Sequence, residues 1–286
     1  MTGLQKFIKY AAIVFGIYLA ITIVWVLLGI ARGFVSSSRN NEFRDLVESA
    51  EEYQGEDISR TYENIKNIDI TVEVTELIIR NGDSFKVEGT NIPDKMEIKQ
   101  DGDTLEISDE NLPSSLSDAN ISITIYIPQD VKLDSIDLEI NYVSADIETL
   151  NTANLNLDIY DNYCEIDEIV ADSMEFKNEY GNLDIHQAEV GRLSFDSESG
   201  VEDVNIRVTE TAEIDLEYSY TDIDLTGTID DYQINYSNQA GNTYINGVRT
   251  TSDNSILGTG NAIITLENIS ADVYIDFRQL TNESNL

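Results

Sequence analysis

The chain has 286 residues, of which 54 are Asp or Glu and 17 are Lys or Arg, so its formal net charge is −37. Nucleic-acid binding needs clustered Lys and Arg, so this charge excludes nucleic acid as a partner, while a hydrophobic content of 41% argues against disorder. A single cysteine and a single histidine exclude an intramolecular disulfide framework and multi-cysteine metal motifs, and we expect no metal centre and no cofactor.

The first predicted element is a membrane helix. Residues Tyr10 to Ala31 form a run of 22 uncharged residues between Lys9 and Arg32. A helix of about 20 residues crosses the roughly 30 Å hydrocarbon layer, so residues 1–34 are predicted to hold a short cytoplasmic tail and an anchor helix. A cleaved signal peptide is the alternative, but the apolar core of a signal peptide has only about 7 to 15 residues.

The predicted orientation of this helix follows from the sizes of the short segment before it and the large domain after it. The short tail before Tyr10 is too small to hold a domain, and large domains after an anchor are translocated largely regardless of charge. We therefore expect a single-pass protein of the cell membrane with a cytoplasmic amino terminus and an extracellular carboxy-terminal domain. Cations flank both ends of the helix and barely decide the orientation, so a cytosolic domain is the alternative.

Residues 35–62 are predicted to be a polar linker and a juxtamembrane helix. Asn41 is a suitable N-cap, Glu42 and Asp45 fall in the first turn, where acidic side chains are favourable, and Gly55 follows the last turn. This segment is expected to act as a stalk for the acidic domain at residues 63–286.

The acidic domain carries a repeat of about 19 to 21 residues. Two series of apolar residues recur at that spacing, and within each segment apolar and polar residues alternate, as in a strand with one buried face. The first series is Leu138, Leu157, Phe176, Phe195, Leu216 and Ile234, and the second is Ile147, Ile166, Ile185, Ile206, Leu225 and Ile245.

This repeat predicts an all-β fold: a single-coil β-solenoid (β-helix) of about 19 to 21 residues per coil, in which each series forms one inward column. An antiparallel sandwich also has short strands and frequent turns, but it does not require the same apolar positions to recur at a fixed spacing. We expect the less periodic upstream strands to form an N-terminal sheet that caps the stack, and residues 261–277 to close the other end.

Three stretches of the chain carry a resemblance: NIDITVEVTELIIRNGDSFKVEG, ISITIYIPQDVKLDSIDLEI, and the repeated strands that end in Gly-Asn or Ser-Ala-Asp-Ile corners. From about Ile65 to Phe277 the chain resembles a bacterial putative-adhesin family of unknown function, which includes Lia-type envelope-stress accessory proteins. The resemblance implies a single-pass or secreted β-solenoid of the bacterial surface without a catalytic signature. Several corners depart from the family by holding Tyr or Asn where Ser-Gly-Asp is typical.

No residue is predicted to be catalytic or to bind a metal. Cys164 lies two places before Ile166 and next to Glu165, so we expect a buried thiol whose acidic neighbour opposes ionisation. His186 follows the inward Ile185 and is expected on the surface. Acidic residues occur in nearly every repeat, where outward charges favour solubility and discourage edge pairing. This role explains most of them without the alternative, carbohydrate cleavage by a pair of carboxylates. Neither of the two common calcium-binding sequence motifs occurs.

Tyrosines near the corners form the candidate binding edge. A purely structural role, with stacked rings that stabilise neighbouring coils, is the alternative. Tyr offers apolar area with a polar tip, which suits a surface that binds a peptide or a glycan. The candidate residues are Tyr142, Tyr160, Tyr163, Tyr180, Tyr218, Tyr220 and Tyr236.

The sequence therefore favours a membrane-anchored, non-enzymatic, adhesin-like surface protein. Its expected partners are the membrane, through Tyr10 to Ala31, and envelope polymers, surface proteins or cationic peptides. The alternative function is an accessory sensor or regulator of cell-envelope stress, because a strongly negative domain attracts cationic peptides and divalent cations.

Overall fold

The computed structural model describes residues 55–250 and 255–278. The chain divides before Gln54, and every described residue belongs to the second of the two units. The predicted membrane helix at Tyr10 to Ala31 and the predicted juxtamembrane helix that starts at Asn41 lie outside the described residues. Among the residues described, no helix has both the length and the apolar character needed to cross a bilayer.

The described part of the chain consists of β-strands, with two 3₁₀ turns at Ser114–Leu116 and Ile229–Asp231. The first eight strands are β1 (Glu56–Thr61), β2 (Asn67–Val72), β3 (Glu76–Gly82), β4 (Lys86–Ile92), β5 (Glu97–Asp101), β6 (Thr104–Ser108), β7 (Ser122–Pro128) and β8 (Leu133–Asn141). The other eleven are β9 (Ala145–Tyr160), β10 (Tyr163–Glu179), β11 (Asn182–Glu198), β12 (Val201–Glu217), β13 (Tyr220–Thr226), β14 (Tyr232–Asn238), β15 (Asn242–Ile245), β16 (Val248–Arg249), β17 (Ser255–Leu257), β18 (Ala262–Ile269) and β19 (Asp272–Arg278). Since no α-helix occurs within residues 55–250 and 255–278, the predicted all-β class is confirmed.

The strands belong to one hydrogen-bonded sheet, and its middle is parallel. Strands β8 to β12 pair with one another in chain order, and paired residues are 19 positions apart, except between β11 and β12, where the offset is 18 from Ala188 to Val190. Leu138, Leu157, Phe176 and Phe195 follow one another in this register and are all buried. The spacing in the sequence therefore matches the stacking of one strand on the next.

The same register orders the second series. Ile147, Ile166 and Ile185 lie opposite one another on β9, β10 and β11, and each is at most 2% exposed. In the first series, the rings of Phe176 and Phe195 contact each other at a centroid distance of 4.7 Å. The two predicted inward columns are thus confirmed across these three strands.

On β12 the predicted columns are wrong by two residues. Phe195 lies opposite Ile214 rather than Leu216, and Ile185 lies opposite Val204 rather than Ile206. Side chains of a strand return to the same face every second residue, so all four positions are inward and nearly fully buried. Alternation identifies the inward face, but it cannot distinguish two inward residues that are two positions apart.

The prediction that the coils stack in sequence order up to Ile245 is also wrong. Strand β18 lies between β12 and β14, and β19 lies between β13 and β15. Leu216 and Ile234 are therefore not neighbours, and residues 261–277 fill a gap instead of closing the end. Any strand with an apolar inward face can pair in this register, so the pattern does not dictate which strand follows in space.

A similar insertion occurs near the start of the sheet. Strand β2 lies between β6 and β8, and β3 lies between β7 and β9. Antiparallel strands occur beyond these, since β4 pairs with β7 and β1 pairs with β4. Strand β1 falls inside the predicted linker at residues 35–62, which corrects the domain boundary. Most of its residues are exposed, so it lacks the apolar periodicity that would have identified it.

Candidate functional site

The corners between successive strands adopt the left-handed backbone conformation. From β8 to β13 each corner has one residue with φ between 46° and 64°. The N–H of each such residue donates to a carbonyl at the end of a neighbouring strand, at 2.8 to 3.2 Å, so the corners stack in register. The five residues are Tyr142, Asp161, Tyr180, Ser199 and Tyr218.

Every second corner carries a tyrosine. Tyr142, Tyr180 and Tyr218 lie two strands apart along the stack, which corresponds to about 10 Å at the usual strand spacing. Their side chains are 61%, 49% and 61% exposed. Because the corners are in register, these three rings project in a row from one edge of the sheet.

Three more predicted tyrosines lie at the same edge. Tyr160 ends β9, and its ring makes edge-to-face contacts with Tyr142 and Tyr180 at 5.1 and 5.9 Å. Tyr163 and Tyr220 begin β10 and β13, two residues after a corner, and both are exposed. We call these six residues the tyrosine edge: Tyr142, Tyr160, Tyr163, Tyr180, Tyr218 and Tyr220.

Tyr236, the seventh predicted residue, does not belong to this edge. It lies on β14 opposite Leu266, and only 8% of it is exposed. Inward positions of β14 alternate from Tyr232 through Ile234 to Tyr236, so its side chain faces the core. The prediction that Tyr236 contributes to a binding surface is therefore wrong.

Two tyrosines that the sequence did not single out extend the aromatic surface. The ring of Tyr274 lies 5.4 Å from Tyr220 and stacks on Tyr244 at 4.8 Å with an angle of 3°. Tyr274 is on β19 and Tyr244 on β15, and these strands become neighbours only through the insertion of β19. Spacing in the sequence could not reveal this contact, because it assumed that strands stack in chain order.

Carboxylates are interleaved with the tyrosine edge. Glu179, Glu198 and Glu217 end β10, β11 and β12 in the register position that Tyr160 has on β9. The neighbouring Tyr142 phenol raises the pKa of Tyr160, and Glu179 adds to the effect. Partial burial and Glu165 raise the pKa of Tyr163. Tyr160 and Tyr163 therefore stay protonated at neutral pH. The carboxylates beside the rings make this surface repel anions and attract cations.

A buried polar network lies beneath the corners. The carboxylate of Glu202 is almost fully buried and accepts hydrogen bonds from Asn178, Ser197 and Thr221. Asn178 also accepts from the N–H of Gly181 and donates to its carbonyl, both at 3.0 Å, which fixes the corner at Tyr180. Burial raises the pKa of Glu202 even though the three donors oppose that change.

Cys164 and His186 lie where the alternation placed them. Cys164 is fully buried, and burial raises the pKa of its thiol to about 12. His186 is exposed on β11, where a hydrogen bond to Asp167 raises the pKa of the ring. The structure also brings Glu165 and Asp184 close to His186. This cluster could have been found in the sequence, because Asp167 precedes His186 by the 19 residues of the strand register.

Three solved structures that are similar to this chain each have 14% sequence identity and cover 79% of it. The crystal structure of a putative cell adhesion protein from Clostridium sporogenes aligns over 100% of its own chain with a TM-score of 0.34. That of a putative adhesin from Bacteroides fragilis aligns over 99% with a TM-score of 0.40. That of a putative lipid binding protein from Parabacteroides distasonis aligns over 98% with a TM-score of 0.42.

A search among curated proteins gives no match. The model of the Toastrack DUF4097 family matches residues 65–286, which include almost the whole sheet and all the tyrosines described above. The predicted resemblance to a putative-adhesin family of unknown function is confirmed. Because the match extends over well more than half of its length, the chain belongs to the Toastrack DUF4097 family.

Proposed function

We propose that this chain is a membrane-anchored, non-enzymatic protein of the cell surface whose tyrosine edge binds an extended ligand. The observation that carries the proposal is backbone strain at exposed aromatic residues. Tyr142, Tyr180 and Tyr218 have φ of 63°, 64° and 56°. A left-handed conformation costs a bulky L-residue roughly 1 to 2 kcal/mol, whereas Gly or Asn adopts it readily. Strain of this kind is typical of binding sites.

Contacts between rings do not explain why tyrosine, rather than a smaller residue, occupies the corners at Tyr142, Tyr180 and Tyr218. Tyr142 and Tyr218 are each 61% exposed, so little of either ring is removed from water. Asp161 and Ser199 take the same conformation at the intervening corners, which shows that small polar residues satisfy the fold. The tyrosines at these corners are thus better explained by contact with a ligand than by stability.

The charges around the edge indicate what kind of ligand it takes. A cation over the face of a tyrosine gains roughly 0.5 to 1 kcal/mol at an exposed site, and Glu179, Glu198 and Glu217 offer ion pairs beside the rings. The net charge of −37 disfavours polyanionic envelope polymers. We therefore propose a basic, extended polypeptide segment as the ligand, contributed by another protein of the envelope.

Replacing Tyr142, Tyr180 and Tyr218 together by asparagine is expected to weaken binding of a nona-arginine peptide about 10- to 100-fold, as three cation–π contacts are lost. Asparagine tolerates a positive φ, so the variant should be at least as stable as the wild type. Fluorescence anisotropy of the labelled peptide with the full chain in detergent measures the affinity.

The matched control is Ser199→Asn, which introduces the same residue at a corner of the same conformation and should leave binding unchanged. An uncharged Gly-Ser peptide of equal length should not bind either protein. Equal affinity of wild type and triple variant for nona-arginine would rule out the tyrosine edge as its binding site.

The membrane anchor and the extracellular location belong to the same proposal and rest on the uncharged run from Tyr10 to Ala31. Protease added to intact cells should remove a carboxy-terminal tag, most easily by cutting the polar linker around Ser36 to Asn41. A tag that stays protected until lysis, while a known external protein is cleaved, would place the domain in the cytosol.

A second candidate function is an accessory sensor or regulator of envelope stress. It is favoured by a column of acids at matching positions on successive strands: Asp146, Glu165, Asp184, Asp203 and Asp222. Partial burial and the neighbouring Asp203 raise the pKa of Asp222, as expected where carboxylates crowd together.

We further interpret the parallel stack from β8 to β13 as a rigid β-solenoid that presents these charges to cationic peptides. Loss of the transcriptional response to such a peptide in cells that lack this chain would favour the sensor.

A further inference from the structure

A cavity of about 440 Å³ lies beside the middle of β12. Its origin is a gap in the strand pairing. Strand β13 pairs with β12 as far as Ile206, and β18 pairs with β12 from Thr211 onward. Between these points β12 faces the loop that leads from β13 through the 3₁₀ turn at Ile229–Asp231 to β14. A volume in this range is typical of a site for a small molecule.

Hydrogen bonds hold the loop around the cavity in place. Tyr232 is buried, and its hydroxyl donates to the carbonyl of Thr226 at 2.6 Å. Oδ2 of Asp231 accepts from the N–H and from the hydroxyl of Thr228, at 2.8 and 3.0 Å. All four of these residues line the cavity. The cavity is therefore preformed, and a ligand does not have to order its walls.

Arg207 and Asp231 supply opposite kinds of hydrogen-bonding group to the cavity. Within the described residues, the ion-pair partner of Arg207 is Glu189 at 3.9 Å, which is too long for a hydrogen bond, so the guanidinium can donate to a ligand. Hydrogen bonds from Thr228 lower the pKa of Asp231, and Arg207 adds to the effect, so this carboxyl is ionised at neutral pH. Both of those bonds end on Oδ2, which leaves Oδ1 as an acceptor.

This pair of groups disfavours a simple ion and favours a ligand with several hydroxyl groups. A cation would be repelled by Arg207, and an anion by Asp231 and by the net charge of −37. Neighbouring hydroxyls of a sugar can divide the two roles, because one can accept from Arg207 while the next donates to Asp231. Thr209 and Thr226, which also line the cavity, carry hydroxyls of their own.

We propose that this cavity binds a sugar unit of a neutral glycan, with Arg207 as the donor and Asp231 as the acceptor. A free amino acid also has groups that could pair with both residues, but its two charged ends would have to lose much more hydration than uncharged hydroxyls do. The site does not depend on what the tyrosine edge binds. The triple asparagine variant of that edge should therefore bind sugars as the wild type does.

The experiment uses the full chain in a detergent that has no sugar headgroup. The probes are the methyl glycosides of glucose, galactose, mannose and N-acetylglucosamine, and saturation-transfer difference NMR measures their binding. At least one of these probes should bind with a dissociation constant in the millimolar range or below. Arg207→Gln should weaken that binding by about 10-fold or more, because hydrogen bonds from a charged group are lost. Thr209→Trp should abolish it by filling the cavity.

Arg192→Gln is the matched control, because it removes an exposed arginine of β11 that pairs with Glu210 outside the cavity, and it should leave binding unchanged. Equal melting temperatures would show that the variants are folded, and Arg207→Gln alone decides the matter if Thr209→Trp is unstable. The proposal is overturned if no probe binds at up to about 50 mM, or if Arg207→Gln binds as tightly as the wild type. It is also overturned if free glycine binds and the sugars do not, since the cavity would then hold an amino acid.

Discussion

Replacement of Leu157 by aspartate is expected to lower the free energy of unfolding by about 4 kcal/mol or more, the largest effect of any substitution considered. Leu157 is fully buried on β9 between Leu138 and Phe176. A carboxylate there has no partner and must either ionise in an apolar environment or take up a proton, and both alternatives are unfavourable. Urea unfolding of the full chain, followed by circular dichroism, measures the loss.

The neighbouring residue provides the control. Asp158 points outward, and partial burial together with Glu139 raises the pKa of its carboxyl, so Asp158→Asn should change stability by no more than about 0.5 kcal/mol. If Leu157→Asp does not fold, Leu157→Ala should still unfold with a loss of about 2 to 5 kcal/mol. Equal stability of the Leu157 and Asp158 variants would show that the register of β9 is wrong.

The second large effect is expected at Glu202. Glu202→Ala leaves the donors of Asn178, Ser197 and Thr221 without their acceptor in the interior, which should lower stability by about 2 kcal/mol or more. Glu202→Gln keeps an acceptor oxygen and removes the charge, so it should be much less destabilising at neutral pH. Comparison of the two variants by urea unfolding separates the lost hydrogen bonds from the lost charge.

The stability of the wild type is expected to depend on pH in a way that the stability of Glu202→Gln does not. Burial raises the pKa of Glu202, so the folded protein binds this proton more tightly than the unfolded chain. Its stabilising contribution is complete below the unfolded pKa and is lost as pH rises through the folded pKa. Wild type should therefore lose stability relative to Glu202→Gln between about pH 4 and neutral pH. A difference in unfolding free energy that stays constant over this range would contradict the assignment.

The 19-residue period sufficed to predict the parallel middle of the sheet. Leu157, Phe176 and Phe195 occupy one column because a fixed spacing and a fixed inward face together determine the register. The period could not predict that β18 would separate β12 from β14, because backbone hydrogen bonds and apolar faces are alike in every parallel strand. Which distant strands become hydrogen-bonded neighbours depends on the path of the loops between them. The repeat in the sequence does not predict that path.

The candidate site was predictable to a similar degree. Positions of the corner tyrosines followed from the period, and burial of Tyr236 could have been predicted as well, because it lies two residues after Ile234, which the repeat places inward. Glu202 was missed for a related reason. In Val201-Glu202-Asp203-Val204 the two valines are three positions apart, so only one of them can point inward. The strand buries Val204 and Glu202 and leaves Val201 exposed, and only the donors around Glu202 make that arrangement acceptable.

The insertion of β18 and β19 has a consequence for the order of folding. Until residues 262–278 have been synthesised, β12 and β13 each lack a neighbour on one side, and β14 and β15 have no parallel partner to join. The growing chain therefore carries an open strand edge of the kind that promotes aggregation. The sheet can be completed only after β18 and β19 have been synthesised. The many contacts between residues far apart in sequence make that step slow. If the domain is exported as proposed, a route that delivers the chain unfolded would bring all of these strands together before the edge has to close.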